Sequence, residues 1–552
     1  MRTIVRFLTA AVLVAATAGV AASSAVASPS RDAASSAALA FAKAPSPELV
    51  RQAVRAGKID KATGLVYLAQ ALFARDQLPA EYRSDTPFHG TIYLLEIQRG
   101  MSALSAAQRD QVESLVGSQP TALSFFDVGP GLGSCDLAPL PSTHVRETAH
   151  FYIEYNEPEV NNGPDGLTIE DYVDSLEHTW NAEIISFKWP APPIGGAVPA
   201  PNGKYLVKIQ QLSPVLYGFV SNTGTSAGSV GDNPNTSWND QDADASCMGL
   251  NSDYATFPGS PRRALDATTA HEFNHSIQFG MGGLAGANVP DDVFVEGGAT
   301  WMEDEAYDTA NDNYNYLWPV FEDDMGDNAD SPYSYWVVFR SLTDRFVASK
   351  PGRAEDVFQR FWELTSKNEA SNLQALDQAL LAKSAGAVNL AKAYHEGAVA
   401  LKINEPCRKG FGRPWCLEEG RQYVNGDGVQ SGAGETEVHG SIGSVGGSFS
   451  GSIPDNYALN WVALPTSAMF YSLTLRNDST GGNLRATLGC HQGARFTIKQ
   501  VTAGLGPGQS ATVPVKWAQK CDVMQFVAIT NVAQTAANPS SSTDRAYTVS
   551  TS

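Results

Sequence analysis

Across residues 47–116 apolar side chains recur every three or four positions: Leu49-Val50, Val54, Ile59, the run from Leu65 to Phe73, Leu94-Leu95 with Ile97, then Leu104, Ala107, Val112 and Leu115. Residues at that spacing share one face of an α-helix, so this stretch predicts a helical region. The period then shortens to two. Residues 148–155 and 204–209 alternate apolar and polar, as half-buried strands do. Between them helical spacing returns over 169–184, with Tyr172, Val173, Leu176, Trp180 and Ile184 apolar. Residues 221–240 are rich in Gly, Ser, Asn and Asp and predict a long loop. Residues 314–400 read as helical, carrying Trp318, Phe321, Tyr335-Trp336, Phe339, Leu342, Phe346, Phe358, Phe361-Trp362 and Leu364.

From about Cys407 the pattern changes again. Gly, Ser and Thr rise, and short alternating runs succeed one another at 448–453, 458–464, 470–475, 495–498, 511–515 and 523–529. Turn residues divide them at a spacing that predicts a C-terminal β-sandwich over 440–552. A chain of 552 residues is too long for one ordinary domain, so an α+β multidomain protein is expected.

The helix expected after Ser260-Pro261 carries the chemistry. Ser is a good N-cap and Pro a good first helical residue; 262–279 lacks Pro and Gly, and Gly280 with Gly282-Gly283 ends the run. Inside it stands His271-Glu272-Phe273-Asn274-His275. Positions i and i+4 lie one above the other, so both imidazoles can reach one ion. Catalytic zinc takes three protein ligands plus water, and H-E-x-x-H supplies two of the three. The carboxylate of Glu272 is the group placed to accept the water's proton. A lone helical histidine is more often structural, but the chain has only nine, and this spacing around a glutamate reverses that weighting. Ala264, Thr268, His271, His275 and Gln278 fall on one stripe, while Phe273 and Ile277 point into core. Further on, Glu296 and Glu303 stand seven apart, two helical turns and one face.

Here the chain resembles the gluzincin metallopeptidases, in which a glutamate on a second helix completes a His-His-Glu zinc site. Glu296-Gly297 through Glu303 is similar to the E-G-x-x-x-x-x-E segment of their aminopeptidase-like branch, although the twenty residues between His275 and Glu296 depart somewhat from its usual spacing. The resemblance implies His271, His275 and Glu296 as Zn²⁺ ligands, Glu272 as general base and Glu303 as a carboxylate orienting a ligand histidine. The H-E-F-x-H-x-x-Q pattern at 271–278 and E-G-x-A-x-W-x-E-D at 296–304 also resemble large secreted bacterial zinc metalloproteases with a helical N-terminal region and a C-terminal β-domain. That likeness implies a zincin-like metallopeptidase domain over 136–406, with a small mixed sheet, an active-site helix and a helical lower lobe. Some part of 246–251 is implied as the strand rimming the cleft, pairing with extended substrate. Tyr333, Tyr335 and His395 are the candidates for oxyanion stabilisation, each more often structural than catalytic. The function implied is hydrolysis of a protein or peptide substrate. An exported binding protein with a vestigial peptidase unit, or a zinc hydrolase of non-peptide substrates, stand as alternatives.

The remaining features set the compartment. Residues 1–27 carry Arg2 and Arg6, a short apolar run and Ala25-Val26-Ala27, and read as a signal peptide for secretion. No later stretch is apolar and long enough for stable membrane insertion. Cys135, Cys247, Cys407, Cys416, Cys490 and Cys521 make an even set without C-x-x-C spacing, as disulfides in an exported chain do. Their distribution suggests Cys407–Cys416 and Cys490–Cys521, with Cys135–Cys247 by remainder. A net charge of −20, from 58 acidic and 38 basic residues, disfavours nucleic acid. Residues 28–135 form the helical N-terminal region, with 28–46 a flexible Ala/Ser-rich lead. Whether it is a propeptide occluding the site or a permanent domain stands even, and 407–439 reads as a disulfide-bearing linker. The acidic group Glu322, Asp323, Asp324, Asp327 and Asp330 reads as a solvated loop ahead of a Ca²⁺ site, and His439 and His491 as structural. No oligomeric state is implied.

Overall fold

Helical spacing in the N-terminal region resolves into α1 (Ser46–Arg55), α2 (Lys61–Phe73), α3 (Thr91–Gly100) and α4 (Ala106–Gly117). Pro47 sits in the first turn of α1, where a missing N–H leaves no bond unmade. Asp60 caps α2 by accepting from Thr63 N at 2.9 Å. The computed structural model describes residues 44–117, 143–195, 201–222, 229–240, 242–282, 284, 289–317, 325, 332–346, 356–370, 372–408, 411–422, 439–493, 495–532 and 544–552. The signal-peptide segment, Cys135 and the acidic group Glu322, Asp323, Asp324, Asp327 and Asp330 lie outside the described residues.

The next strands are β1 (Thr143–Glu147), β2 (Phe151–Asn156), β3 (Tyr205–Gln210), β4 (Gly218–Asn222), β5 (Ser229–Gly231), β6 (Ala243–Asp244) and β7 (Ser246–Asn251), with α5 (Glu157–Val160) and α6 (Ile169–Trp180) between β2 and β3. Five of them form one mixed sheet in the order β1-β2-β3-β7-β4. The pairs β2–β3 and β3–β7 are parallel, and β1 and β4 are antiparallel edges. This corrects the expectation that 246–251 forms the rim. Every residue of β7 is buried, and Cys247, Met248 and Leu250 need cover on both faces, as a central strand has. The edge on that side is β4, whose Ser221 and Asn222 fall in the stretch expected as loop.

Against this sheet lies α7 (Pro261–Gly280), capped by Ser260, whose hydroxyl accepts from Arg263 N at 3.4 Å. All of its residues from 267 to 280 are buried, because sheet, α6 and α8 (Asp292–Ala306) surround it. Gly218 lets β4 come close: a Cβ there would meet Gly249 O at 2.9 Å and Glu272 Cγ at 3.3 Å. The helices α9 (Trp336–Asp344), α10 (Asp356–Ser366), α11 (Asn372–Lys383) and α12 (Leu390–Ile403) complete a helical layer, in which Phe294 stacks on Phe339 and Phe361. One apolar core joins α1–α4, the inner strands β2, β3, β7 and β4, and the helices α6–α12.

The C-terminal strands are β8 (Gly440–Ser441), β9 (Ser448–Ile453), β10 (Ala458–Ala463), β11 (Phe470–Asn477), β12 (Leu484–Gln492), β13 (Arg495–Leu505), β14 (Ser510–Lys516), β15 (Met524–Asn531) and β16 (Arg545–Thr551). They form two sheets, β13-β12-β15-β10-β8 and β14-β11-β16-β9, antiparallel except for β8 with β10. Leu473, Leu475 and Val549 of one sheet share a core with Leu488, Val527 and Ile529 of the other. Disulfides join Cys407 to Cys416 and Cys490 to Cys521; Cys247 is also disulfide-bonded, and no described cysteine is free. The α12 helix docks on this unit through Trp461 Nε1, which donates to Ala398 O at 3.0 Å. No described helix is long and apolar enough to cross a membrane.

Candidate metal centre

Two buried helices bring the sequence-selected side chains to one point. From α7 come His271 and His275; from α8 come Glu296 and Glu303. Glu296 Oε2 lies 2.9 Å from His271 Nε2 and 3.4 Å from His275 Nε2, and the two Nε2 atoms are 3.1 Å apart. Glu303, two turns along α8, places Oε1 2.7 Å from His271 Nδ1. Gly297 lets α8 pack closely on the segment that follows: a Cβ there would come within 3.0 Å of Phe339 and 3.1 Å of Pro332 O.

Hydrogen bonding dictates what the point between these atoms requires. The Gln278 amide nitrogen donates to Asn274 Oδ1 at 3.0 Å and Val295 O at 3.1 Å, so its oxygen faces His275 Nδ1 at 2.8 Å and can only accept. His275 therefore carries its hydrogen on Nδ1 and presents a bare Nε2. An ionised Glu303, which a cation at this point would favour, accepts from His271 Nδ1–H and sets the same tautomer there. Three acceptor atoms then face one another, 2.9–3.4 Å apart. Acceptors so placed repel one another unless a cation lies between them. Three corners of a tetrahedron around an ion bonded at about 2.0–2.1 Å would be about 3.3–3.4 Å apart, close to what is seen. Glu296 Oε1 has no hydrogen-bond partner and is buried, as a carboxylate awaiting a cation would be. The residues fit a divalent metal.

The local electrostatics agree. Burial, then the charges of His89 and His275, holds His271 well below the usual imidazole range, so it stays neutral. Burial also opposes a charged His275, but Glu296 outweighs it and raises that group. Glu296 thus favours positive charge at the point where a cation would sit. Burial, with Asp312, Asp304, Glu272 and Glu296 close by, lifts the Glu303 carboxyl well above its ordinary range.

Glu272 is wholly buried and both its oxygens are held by residues that sequence reasoning missed. His89 Nδ1 is 2.9 Å from Oε1, and Thr91 Oγ1 donates to Oε2 at 2.9 Å. Burial pushes the Glu272 carboxyl up, but the His89 hydrogen bond and charge outweigh it and bring it below the usual carboxylate range. The His89 ring lies flat between Tyr217, at 4.8 Å, and His271, at 3.6 Å. No local pattern marks His89; its only signal is a histidine in a Pro-Phe-His-Gly turn ahead of a helix. Gln278 was visible on the zinc-facing stripe, but its grip on His275 was not.

Of the three oxyanion candidates, the structure brings one to the centre. The Tyr333 ring lies 6.0 Å from that of His271, and its hydroxyl donates to His89 O at 3.3 Å. Tyr335 shares the Pro332–Tyr335 turn and packs beside Gly297. His395 is elsewhere, which corrects its candidacy. It bridges α12 to the C-terminal sheet, bonding Thr530 Oγ1 at 2.9 Å and Thr487 Oγ1 at 2.7 Å, and burial lowers its pKa to about 3. Its apolar helix face is a docking surface.

No family model matches the chain, and no curated protein does. Among solved structures, one chain from a structure of infectious bursal disease virus Gx strain aligns over 19% of this chain and 27% of its own, at 15% identity and a TM-score of 0.11. IMPa from Pseudomonas aeruginosa, solved in complex with an O-glycopeptide, aligns over 55% of this chain and 31% of its own, at 12% identity and a TM-score of 0.15. The chain spans less than a third of the length of either one. Likenesses at those scores carry no argument about fold or chemistry.

Proposed function

We propose that this protein is a secreted, zinc-dependent peptidase of gluzincin type, with a zincin-like unit built on α7, α8 and the mixed sheet. The observation that carries the reading is the convergence of His271 Nε2, His275 Nε2 and Glu296 Oε2, three buried ligand atoms at metal-binding spacing. Two imidazoles and one carboxylate are the donor set that suits zinc in a hydrolytic site. Zinc, when bound, supplies Lewis acidity toward an amide carbonyl and makes water a stronger acid.

The protein's own groups do the rest. Glu303 and Gln278 fix the two imidazoles with Nε2 toward the centre, and Glu296 adds a negative charge that favours a divalent ion. Glu272 keeps an ionised carboxylate at neutral pH, and each oxygen retains a lone pair beyond its bond to His89 or Thr91. It accepts a proton from the attacking water and returns it to the leaving amine. Tyr333 stands beside His271 as the phenol available to the developing oxyanion. The intact Glu272 favours this over a vestigial binding unit, which has no use for a carboxylate there.

The test is cleavage of a mixed peptide library by zinc-loaded full-length protein, with and without chelator. Chelation should abolish cleavage and added zinc restore it. Glu272→Gln should keep the metal and lose about 10²–10⁴-fold in turnover. Retained turnover in that zinc-loaded variant removes the role given to Glu272. Full zinc occupancy without cleavage of any peptide, also in variants that displace the His89–Thr91 segment held on Glu272, points to the binding-protein alternative.

A further inference from the structure

The edge strand β4 is already occupied. Phe88 N donates to Val215 O at 2.9 Å, Tyr217 N to Phe88 O at 3.0 Å, and Gly90 N to Gly218 O at 2.9 Å. Val220 N donates to Thr91 Oγ1 at 2.8 Å. Leu216 and Phe88 form a parallel β-bridge. A short extended segment has therefore been added to the outer edge of the sheet, the way sheet edges recognise peptides. It lies beside the metal centre, and its side chains reach inward: His89 and Thr91 take the two oxygens of Glu272, and the His89 ring covers His271. Gly90 permits the close approach, since a Cβ there would stand 3.1 Å from Phe219 Cβ and 3.2 Å from Leu216 Cδ1. Beneath it His271, Glu272, His275 and Glu296 are all 0% exposed. A substrate cannot reach the centre, or pair with β4, while this segment stays in place.

We infer that residues 88–91 are an intramolecular occupant of the substrate cleft, a built-in peptide that holds the centre latent. The inference rests on the peptidase reading for what is excluded, an extended polypeptide; the closure rests on geometry alone. The helix α3 begins at Thr91, so the N-terminal helical region presents the blocking segment. The edge groups that this segment uses, at Val215 and Tyr217 just ahead of β4 and at Gly218 within it, are then the ones a polypeptide substrate uses after displacement.

Two full-length variants test this: His89→Ala/Thr91→Ala, which frees Glu272, and Gly90→Leu, which wedges the segment from the edge without touching either side chain. Because they perturb different contacts, a folding defect in one does not decide the result. Access is read without metal, from the rate at which diethyl pyrocarbonate modifies the peptide carrying His271 and His275. Turnover is read on the mixed peptide library with zinc. Both rates should rise at least tenfold over the wild type. Unchanged modification overturns the closure, and lower turnover in His89→Ala/Thr91→Ala overturns it too, by making His89 a working part of the centre. Faster modification with no cleavage by any form upholds the closure and brings down the peptidase reading instead.

Discussion

Replacing Gln278 by leucine isolates the orientation of one metal ligand from its identity. The side chains are similar in size, but three hydrogen bonds vanish: to His275 Nδ1 at 2.8 Å, Asn274 Oδ1 at 3.0 Å and Val295 O at 3.1 Å. Without an acceptor at Nδ1 the His275 ring can rotate, or carry its hydrogen on Nε2 and turn a donor toward the ion. Loss of such an orienting partner typically weakens metal binding about 10–100-fold, or about 1.4–2.8 kcal/mol. Separately, the hydrogen bonds to Val295 O and Asn274 Oδ1 are lost, each worth about 0.5–1.5 kcal/mol of fold stability. Gln278→Glu separates the two effects, since its carboxylate still accepts from His275 but donates nothing to Val295. Competition with a chromophoric chelator reads zinc affinity, and urea denaturation of the metal-free protein reads stability. Leucine should lower both; glutamate should lower stability and keep affinity within a few-fold of wild type. Zinc binding by Gln278→Leu within twofold of wild type would refute the tautomer assignment.

The surrounding structure carries further consequences. Arg340 is 2% exposed among Asp304 at 3.3 Å, Asp344 at 3.6 Å, Glu418 at 3.8 Å and Glu305, so Arg340→Met strands buried carboxylates. A loss of about 3–5 kcal/mol is expected in denaturant titration. Burial raises the Glu177 carboxyl, but hydrogen bonds from Thr148 and His150 outweigh it and its folded pKa is lowered. Its stabilisation is therefore complete above the ordinary value of about 4.3 and fades as pH falls through the folded value; Glu177→Gln should flatten that acid limb of stability against pH. Cys490 and Cys521 are separated by 31 positions. Replacing both with alanine should remove about 3–4 kcal/mol, read as a lower unfolding midpoint that no longer responds to reductant at this bond.

The chemistry was legible where it was local. His271 and His275 are one turn apart, Glu296 and Glu303 two turns apart, and helical periodicity alone aligns each pair. What joins the pairs is the packing of α7 on α8, which the resemblance implied and the distances bear on directly. The hold on Glu272 was not legible, because His89 and Thr91 lie 183 and 181 positions away in the chain. Nor was the order of the sheet. The chain makes its edge strand β4 before its inner strand β7, and the Gly/Ser/Asn-rich run after it disguised the end of β4 as loop. His395 shows the converse: a histidine on an apolar helix within the expected catalytic unit proved to be a neutral bridge to the C-terminal sheet. In the C-terminal region the period of two translated most directly into the sheet that buries one face, as in β11; β10, β12 and β15 are buried on both faces because α12 covers the second.

The most direct test of the metal centre is X-ray absorption at the zinc edge on the full-length protein loaded with one equivalent of zinc. A His-His-Glu site predicts a shell of nitrogen and oxygen only, at about 2.0–2.1 Å, with outer scattering from two imidazoles that falls to one in His275→Ala. A sulfur shell, or an imidazole signal that His271→Ala and His275→Ala leave unchanged, would contradict it.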